Sequence, residues 1–229
     1  LFENAKQILN LGNHPVLLCD NTVYQIVGKK FQSYLTRYGL HVLHVSFNGE
    51  ASDNEINRVA TLAEKDGADL VIGLGGGKTI DSVKAIADLL EVSVVIAPTI
   101  ASTGAPTSAL SVIYTEEGAF EKYIFYSKNP ELVLVDSKVI AQAPKRLLAS
   151  GIADGLATWV EARAVMQSNG LTMLGQRQSL AAIAIAKKCE ETLFADGLQA
   201  LAACEAQVVT PALEHIIEAN TLLSGVGFE

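Results

Sequence analysis

The run Gly73-Leu74-Gly75-Gly76-Gly77-Lys78-Thr79-Ile80-Asp81 is the densest group of chemically suggestive residues in this sequence. It follows a short apolar stretch and opens an amphipathic one, so it reads as a strand-to-helix turn. Three consecutive glycines let a backbone approach a ligand closely, and the N–H groups at a helix start, helped by Lys78, favour an anion such as phosphate. The plain alternative is a tight turn of the kind every α/β protein needs, although a single glycine would serve for that. Two familiar phosphate motifs are excluded. A P-loop would need glycine at Ile72, and the GxGxxG fingerprint begun at Gly73 would need glycine at Lys78.

Asp20 closes the apolar run Val16-Leu17-Leu18-Cys19. An acid at the carboxyl end of a strand in an open α/β sheet can accept hydrogen bonds from a ribose diol, and its charge would repel an added 2′-phosphate, favouring NAD over NADP. Asp is equally suited to capping a helix that begins at Asn21, and the residues alone leave both readings open. A third candidate is the hydroxyl-rich stretch from Pro98 to Ser108, which follows the strand expected at Val92 to Ala97. Its place after a strand makes it a possible ligand wall, but loops are polar in any case.

These groups need a scaffold, and the pattern supplies one. Val16 to Cys19, His41 to Val45, Leu70 to Ile72, Val92 to Ala97 and Leu132 to Val135 are short, β-branched and bounded by polar residues or glycine, as buried strands are. Helical spacing runs over Asn21 to Tyr38, after the capping box Ser52-Asp53-Asn54-Glu55, and over Lys78 to Leu90. Strand and helix in alternation predict a parallel sheet covered on both faces. A hairpin, Leu110 to Tyr114 with Lys122 to Tyr126 around Thr115-Glu116-Glu117-Gly118, interrupts it. Beyond Pro144 the chain turns rich in Ala, Leu, Glu and Lys, with Gly170, Gly175 and Gly197 punctuating successive helices and Pro211 placed for the first turn of another. Two domains are expected, residues 1–145 and residues 146–229.

Composition narrows the function classes. The 17 basic and 25 acidic residues give a net charge of −8 without any basic run, which argues against nucleic acid as a partner. No apolar stretch reaches the ~20 residues of a membrane span. The three cysteines, Cys19, Cys189 and Cys204, have no CxxC spacing, so neither a disulfide framework nor a cysteine metal cluster is expected, and a reducing cytoplasm fits. Leu1 at the start and the glycine-containing stretch ending at Phe228-Glu229 lead us to expect further sequence on both sides.

Taken in order, GLGGGKTIDSVKAIA (73–87), APTIAST (97–103), APTSALSVIY (105–114), LLASGIADGLATWVEAR (147–163) and VVTPALEHIIEANTLLSGVGFE (208–229) resemble the glycerol dehydrogenases of the iron-containing, or group III, alcohol dehydrogenase superfamily. The resemblance implies a Rossmann-like parallel-sheet NAD domain of the α/β class followed by an all-helical catalytic domain, here incomplete, with the active site in the cleft between them. It implies that Gly76, Gly77 and Lys78 hold the NAD pyrophosphate with Thr79 and Asp81 at the helix start, and that Asp20 binds the ribose. Thr99 and Ser102 would line the adenosine side, and Ser108, Leu110 and Tyr114 the nicotinamide half. Hydride transfer from glycerol or a related vicinal diol, assisted by a divalent metal (zinc by the resemblance) and giving dihydroxyacetone, is the implied activity, in a homo-oligomer.

The sequence departs from that pattern in two places. Asp154 matches the family's aspartate metal ligand, but the two histidine ligands would follow Glu229, and His14, His41, His44 and His215 stand elsewhere, as surface or core histidines. Alone, Asp154 could equally be a helix acid paired with Arg163 or Arg146. At Gly104 the family carries an aspartate that touches substrate hydroxyls; glycine removes that carboxylate and is expected to open space. Other enzymes of the dehydroquinate synthase-like superfold would want basic residues for a phosphate or carboxylate substrate, and Thr99 to Ser108 contains none. The remaining alternative is a non-catalytic dinucleotide-binding module.

Overall fold

The computed structural model describes residues 5–227; the terminal residues on which the expectation of further sequence partly rests lie outside them. The described chain divides into two compact units. One comprises the residues up to Thr99 together with Ala109–Asp136; the other comprises Ile100–Ser108 and the residues from Ser137 onward. The division falls between Asp136 and Ser137 rather than at 145, and the hydroxyl-rich loop belongs to the second unit although it lies deep within the first in sequence. Composition registers a run of helix formers, whereas compactness registers which segments pack together.

The first unit is built on a five-stranded parallel sheet in the order β2-β1-β3-β4-β7. Its strands are β1 (Pro15–Cys19), β2 (Leu43–Ser46), β3 (Leu70–Gly75), β4 (Ser93–Pro98) and β7 (Leu132–Val133). Every residue of β1 and β3 is buried, as expected of central strands covered on both faces. The antiparallel hairpin of β5 (Leu110–Tyr114) and β6 (Phe120–Phe125) forms a separate two-stranded sheet. Its turn closes with the Gly118 amide donating to the Thr115 carbonyl at 3.0 Å, and Gly118 takes a left-handed φ of 84°.

Strand β3 runs three residues past the expected end at Ile72, because Gly73, Leu74 and Gly75 pair in register with Ile96, Ala97 and Pro98. Two of its glycines are there for packing. A Cβ on Gly73 would lie 2.4 Å from Val83 Cγ2, and one on Gly75 would lie 2.8 Å from Thr79 Oγ1, so both let the following helix press directly onto the strand. That helix, α5 (Gly77–Leu90), is buried continuously from Thr79 to Ala87.

A short α1 (Ala5–Leu9) precedes β1. The helical stretch expected from Asn21 is α2 (Asn21–Val23), a π-helical turn at Tyr24–Gly28 and α3 (Lys29–Arg37). Within the π turn Tyr24 stacks on His44 of β2 at 3.7 Å and donates its hydroxyl to Gln32 Oε1 at 2.7 Å. The next helix, α4 (Asp53–Asp66), starts as expected with Ser52 Oγ accepting from the Glu55 amide at 3.3 Å. The reciprocal half of the capping box is replaced. Glu55 accepts from the Asn48 amide at 2.9 Å and from Arg58 Nη2 at 2.7 Å, closing the chain onto β2 through Arg58's further bond to the Ser46 carbonyl.

The second unit is helical: α6 (Ser137–Ala141), α7 (Lys145–Ser168), α8 (Leu180–Glu205), α9 (Pro211–Glu218), a π-helical turn (Ala219–Leu223) and α10 (Ser224–Gly227). Helix α8 packs along α7 and α9 around Leu148, Cys189, Leu193, Leu213, Ile216 and Ile217. Asn169, left-handed at φ 51°, ends α7 just before Gly170, and Pro211 opens α9 beneath the Thr210 cap. Gly197 does not divide two helices. It lies buried inside α8, where a Cβ would make ordinary contact with Ile152 Cδ1 of α7 at 3.7 Å.

Burial alone would raise the Glu55 pKa, but the Arg58 and Asn48 hydrogen bonds outweigh it and hold the carboxyl below its ordinary value. A depressed folded-state pKa contributes stability above the unfolded value and loses it as the pH falls through the folded one. Glu55→Gln should therefore cost about 1–2 kcal/mol near neutral pH in urea unfolding, with the difference shrinking in acid; a cost independent of pH would show that the charge is not what matters.

Candidate functional site

The strand order creates a topological switch. The chain leaves β1 for β2 on one side and returns to β3 on the other, so the carboxyl ends of β1 and β3 flank the point where open α/β sheets bind ligands. Asp20 follows β1 and the glycine turn follows β3. Leu18 pairs with Gly73, which sets Asp20, two residues on, level with Gly75.

At the turn Gly76 is the N-cap residue of α5, extended at φ −99° and ψ −170°, and Gly77 is the first helical residue. No side chain caps this helix start. The 14-residue helix therefore presents its positive end at the switch point without an internal acceptor from a cap side chain. Lys78 beside it is paired with Glu50, and its Nζ lies 5.7 Å from the centroid of the Tyr114 ring. The amide of Thr99, at the end of β4, donates to the Gly75 carbonyl at 3.0 Å and closes the turn from the other side.

Asp20 performs the capping role left open by its sequence: Oδ1 accepts from the Val23 amide at 2.9 Å. Thr79 is buried, with its hydroxyl under Gly75. Asp81 faces inward and is engaged by protein. Its carboxylate lies 3.2 Å from Lys84 Nζ and accepts from the Val112 backbone, while burial pushes its pKa up to about 6 against the opposing pull of Lys84. Sequence reasoning grouped Asp81 with the turn and missed Lys84. The available signal was two opposite charges at i and i+3 inside an otherwise apolar helix.

In the second unit, Asp154 projects from α7 toward the loop of Ser102, Gly104 and Ser108. Its Oδ2 accepts from the Gly104 amide at 3.4 Å, and the Thr103 side chain also hydrogen-bonds to it. Partial desolvation raises the Asp154 pKa, with those two hydrogen bonds opposing. Neither Arg163 nor Arg146 pairs with it. The loop is anchored by Asn220, whose Nδ2 donates to the Ala101 carbonyl at 2.8 Å, and by Thr107, whose Oγ1 donates to the Thr221 carbonyl at 2.7 Å. Gly151 makes room for this contact: a Cβ there would be 2.0 Å from the Ala101 carbonyl oxygen. Asn220 was not singled out from sequence, because nothing in a helical stretch announces which amide turns inward.

Position 104 is not open. A Cβ on Gly104 would stand 2.7 Å from the Gly225 amide nitrogen and 2.8 Å from its Cα, so the space vacated by a side chain is filled by the backbone of α10. Its φ is not in the left-handed region, and close packing is the constraint.

The histidines have partners or neighbours of their own. His41 lies 3.6 Å from Asp66 and tilts against His14, His44 stacks on Tyr24, and His215 Nδ1 lies 2.8 Å from Asp196. Among the described residues, no three His, Cys, Asp or Glu side chains converge as a metal site. The cysteines are buried thiols, and desolvation raises Cys19 to about 12 and Cys189 to about 11. No described helix is long and apolar enough to cross a membrane.

A parallel sheet with an uncapped glycine turn at its switch point is the architecture of a dinucleotide-binding α/β domain, and comparison with known proteins specifies which. The family model described as iron-containing alcohol dehydrogenase matches residues 1–137, and the chain belongs to that family. It is 55% identical to a glycerol dehydrogenase of Escherichia coli O6:H1 over 99% of this chain and 64% of that protein. It is 49% identical to a glycolaldehyde reductase of Halobacterium salinarum over 96% of this chain and 60% of that one. The crystal structure of glycerol dehydrogenase from Schizosaccharomyces pombe superimposes with a TM-score of 0.93 at 41% identity, covering 100% of this chain and 58% of that one. The chain thus spans roughly three fifths of the relatives it matches.

Gly104→Asp should destabilise the protein by about 1–3 kcal/mol, because the new side chain must displace backbone rather than a flexible neighbour. Thermal unfolding of the variant checks this, and an unchanged midpoint would mean that α10 does not approach the loop so closely.

Proposed function

We propose that this protein is an NAD-dependent oxidoreductase that removes hydride from a small polyol, glycerol or a related vicinal diol, giving dihydroxyacetone in the case of glycerol. The observation that carries the reading is the uncapped start of α5 at the switch point, with Asp20 level with it across the sheet. The amides of Gly77, Lys78 and Thr79 face an anion there, as a pyrophosphate requires. Binding would exchange Glu50 for a phosphate oxygen as the partner of Lys78. With Oδ1 of Asp20 committed to its cap, Oδ2 remains to accept from a ribose hydroxyl, and the same charge disfavours a 2′-phosphate. Thr99 and Ser102 are assigned to the adenosine side and Ser108, Leu110 and Tyr114 to the nicotinamide half.

Asp154 is proposed as one ligand of a divalent metal, zinc by family resemblance. A catalytic zinc takes three protein ligands as a rule, and the described residues do not assemble that set; two histidines following Glu229 are proposed to complete it. The residues present therefore account for cofactor binding and for one carboxylate, held in place by Gly104 and Thr103. In domain terms the parallel-sheet unit binds NAD and the helical unit begins the catalytic domain. A homo-oligomer in the cytoplasm completes the reading.

Calorimetric titration of the intact protein should show NAD binding and NADP binding at least tenfold weaker, with Asp20→Asn narrowing the gap. Steady-state assays should show chelator-sensitive oxidation of glycerol with NAD and reduction of glycolaldehyde with NADH. Equal affinity for both cofactors would remove Asp20 from the ribose site. Cofactor binding without any turnover would favour the non-catalytic dinucleotide module.

A further inference from the structure

The hairpin β5–β6 shares no backbone ladder with the parallel sheet, yet it carries Leu110 and Tyr114 and sets the Tyr114 ring beside Lys78 at the glycine turn. Something other than sheet pairing must hold it there. At its outer end one backbone bond, the Tyr114 amide on the Ala51 carbonyl at 2.9 Å, stands beside two exposed or half-buried side-chain pairs, Lys122 with Asp53 at 2.5 Å and Asn54 with Glu116 at 2.7 Å. Exposed pairs of this kind contribute little.

The inner end is different. Three consecutive residues of β5 are each hydrogen-bonded to α5, and Leu110, Ser111, Asp81 and Lys84 are buried, with Val112 partly so. Lys84 Nζ donates to the Leu110 carbonyl, Ser111 Oγ donates to the Asp81 carbonyl at 2.8 Å, and the Val112 amide donates to the Asp81 carboxylate. Lys84 is neutralised by the same carboxylate at 3.2 Å, and the Tyr126 hydroxyl of the returning chain donates to Ser111 Oγ at 2.9 Å. The side chains of Lys84 and Asp81 are only 2% and 10% exposed, so neither is disposed to reach a bound nucleotide.

We infer that Asp81 and Lys84 are positioning residues: their buried ion pair fastens the first three residues of β5 to α5 and so fixes the hairpin wall of the cofactor site relative to the phosphate-binding helix start. One helix thereby serves both ends of the ligand, its N-terminus taking the pyrophosphate while its second turn sets where Tyr114 stands. A simple apolar contact would hold the hairpin against α5 but would leave its register free to slide. Three directional bonds to successive residues do not allow that, because a slip of one residue reverses which side chains face the helix. The inference rests on the proposed NAD site and assigns Asp81 an indirect part in it.

The test compares the intact parent protein with Lys84→Met and with the milder Ser111→Ala, which removes one bond without stranding a buried charge. Amide hydrogen exchange is read strand by strand, and Kd values are measured for NAD and for ADP-ribose, which lacks the nicotinamide. We expect at least tenfold faster exchange over 111–114 and 121–125 with β1, β3 and β4 unchanged, a fivefold or larger rise in the NAD Kd, and an ADP-ribose Kd within twofold of the parent. Lys84→Arg should recover part of the loss. Unchanged hairpin exchange in the variants would overturn the inference, as would exchange that accelerates evenly over the whole unit or equal weakening of both nucleotides. Should the parent bind neither nucleotide, the cofactor site itself falls, and hairpin loosening would then show an anchor with nothing to position.

Discussion

The close seating of α5 on β3 is the constraint on which the rest of the first unit depends. Gly73 and Gly75 have no side chain because Val83 and Thr79 occupy that space. With the helix pressed this tightly, it is buried on all sides from Thr79 to Ala87, and its start is fixed at the carboxyl edge of the sheet. An interior packed at crystal-like density cannot let such a helix drift. The position of the amides at the helix start is therefore set by the packing of Thr79 and Val83, within the first two turns, against the strand.

Burying a helix all round leaves no solvent for its polar side chains, and this sequence answers with a paired arrangement. Asp81 and Lys84 neutralise each other and both hydrogen-bond to the backbone of β5. An unpaired charge at either place would carry the full desolvation penalty. What stabilises the pair also ties a second piece of backbone to the helix, so the electrostatic requirement and the placement of the hairpin are the same fact.

The helical unit uses another device for its loop. The segment containing Ser102, Gly104 and Ser108 has no regular structure, and it is held by backbone-directed bonds from Asn220 and Thr107 and by glycines at 104, 151 and 225 that admit direct backbone contact. Asp154 completes this arrangement by accepting from the loop rather than from an arginine on its own helix.

The sequence by itself determined the parallel α/β class, the helices opening after Ser52, near Lys78 and at Pro211, the hairpin and the glycine turn, because each of these is encoded in local periodicity, caps and turn residues. Its family motifs also drew attention to Asp20, as a ribose-binding acid, and to Asp154, as a metal ligand. The tertiary structure decided which partners buried and capping side chains meet. Asp20 is a helix cap at the switch point, Asp81 turns into the core to meet Lys84, and Glu55 abandons its own helix start for Arg58 and Asn48. It also decided that Gly104 is filled by Gly225, 121 positions away in the chain by numbering. Spacing along a chain reports which face of an element a residue occupies; it carries no information on which distant backbone will be pressed against that face, and that is where buried charges and bare glycines acquire their roles.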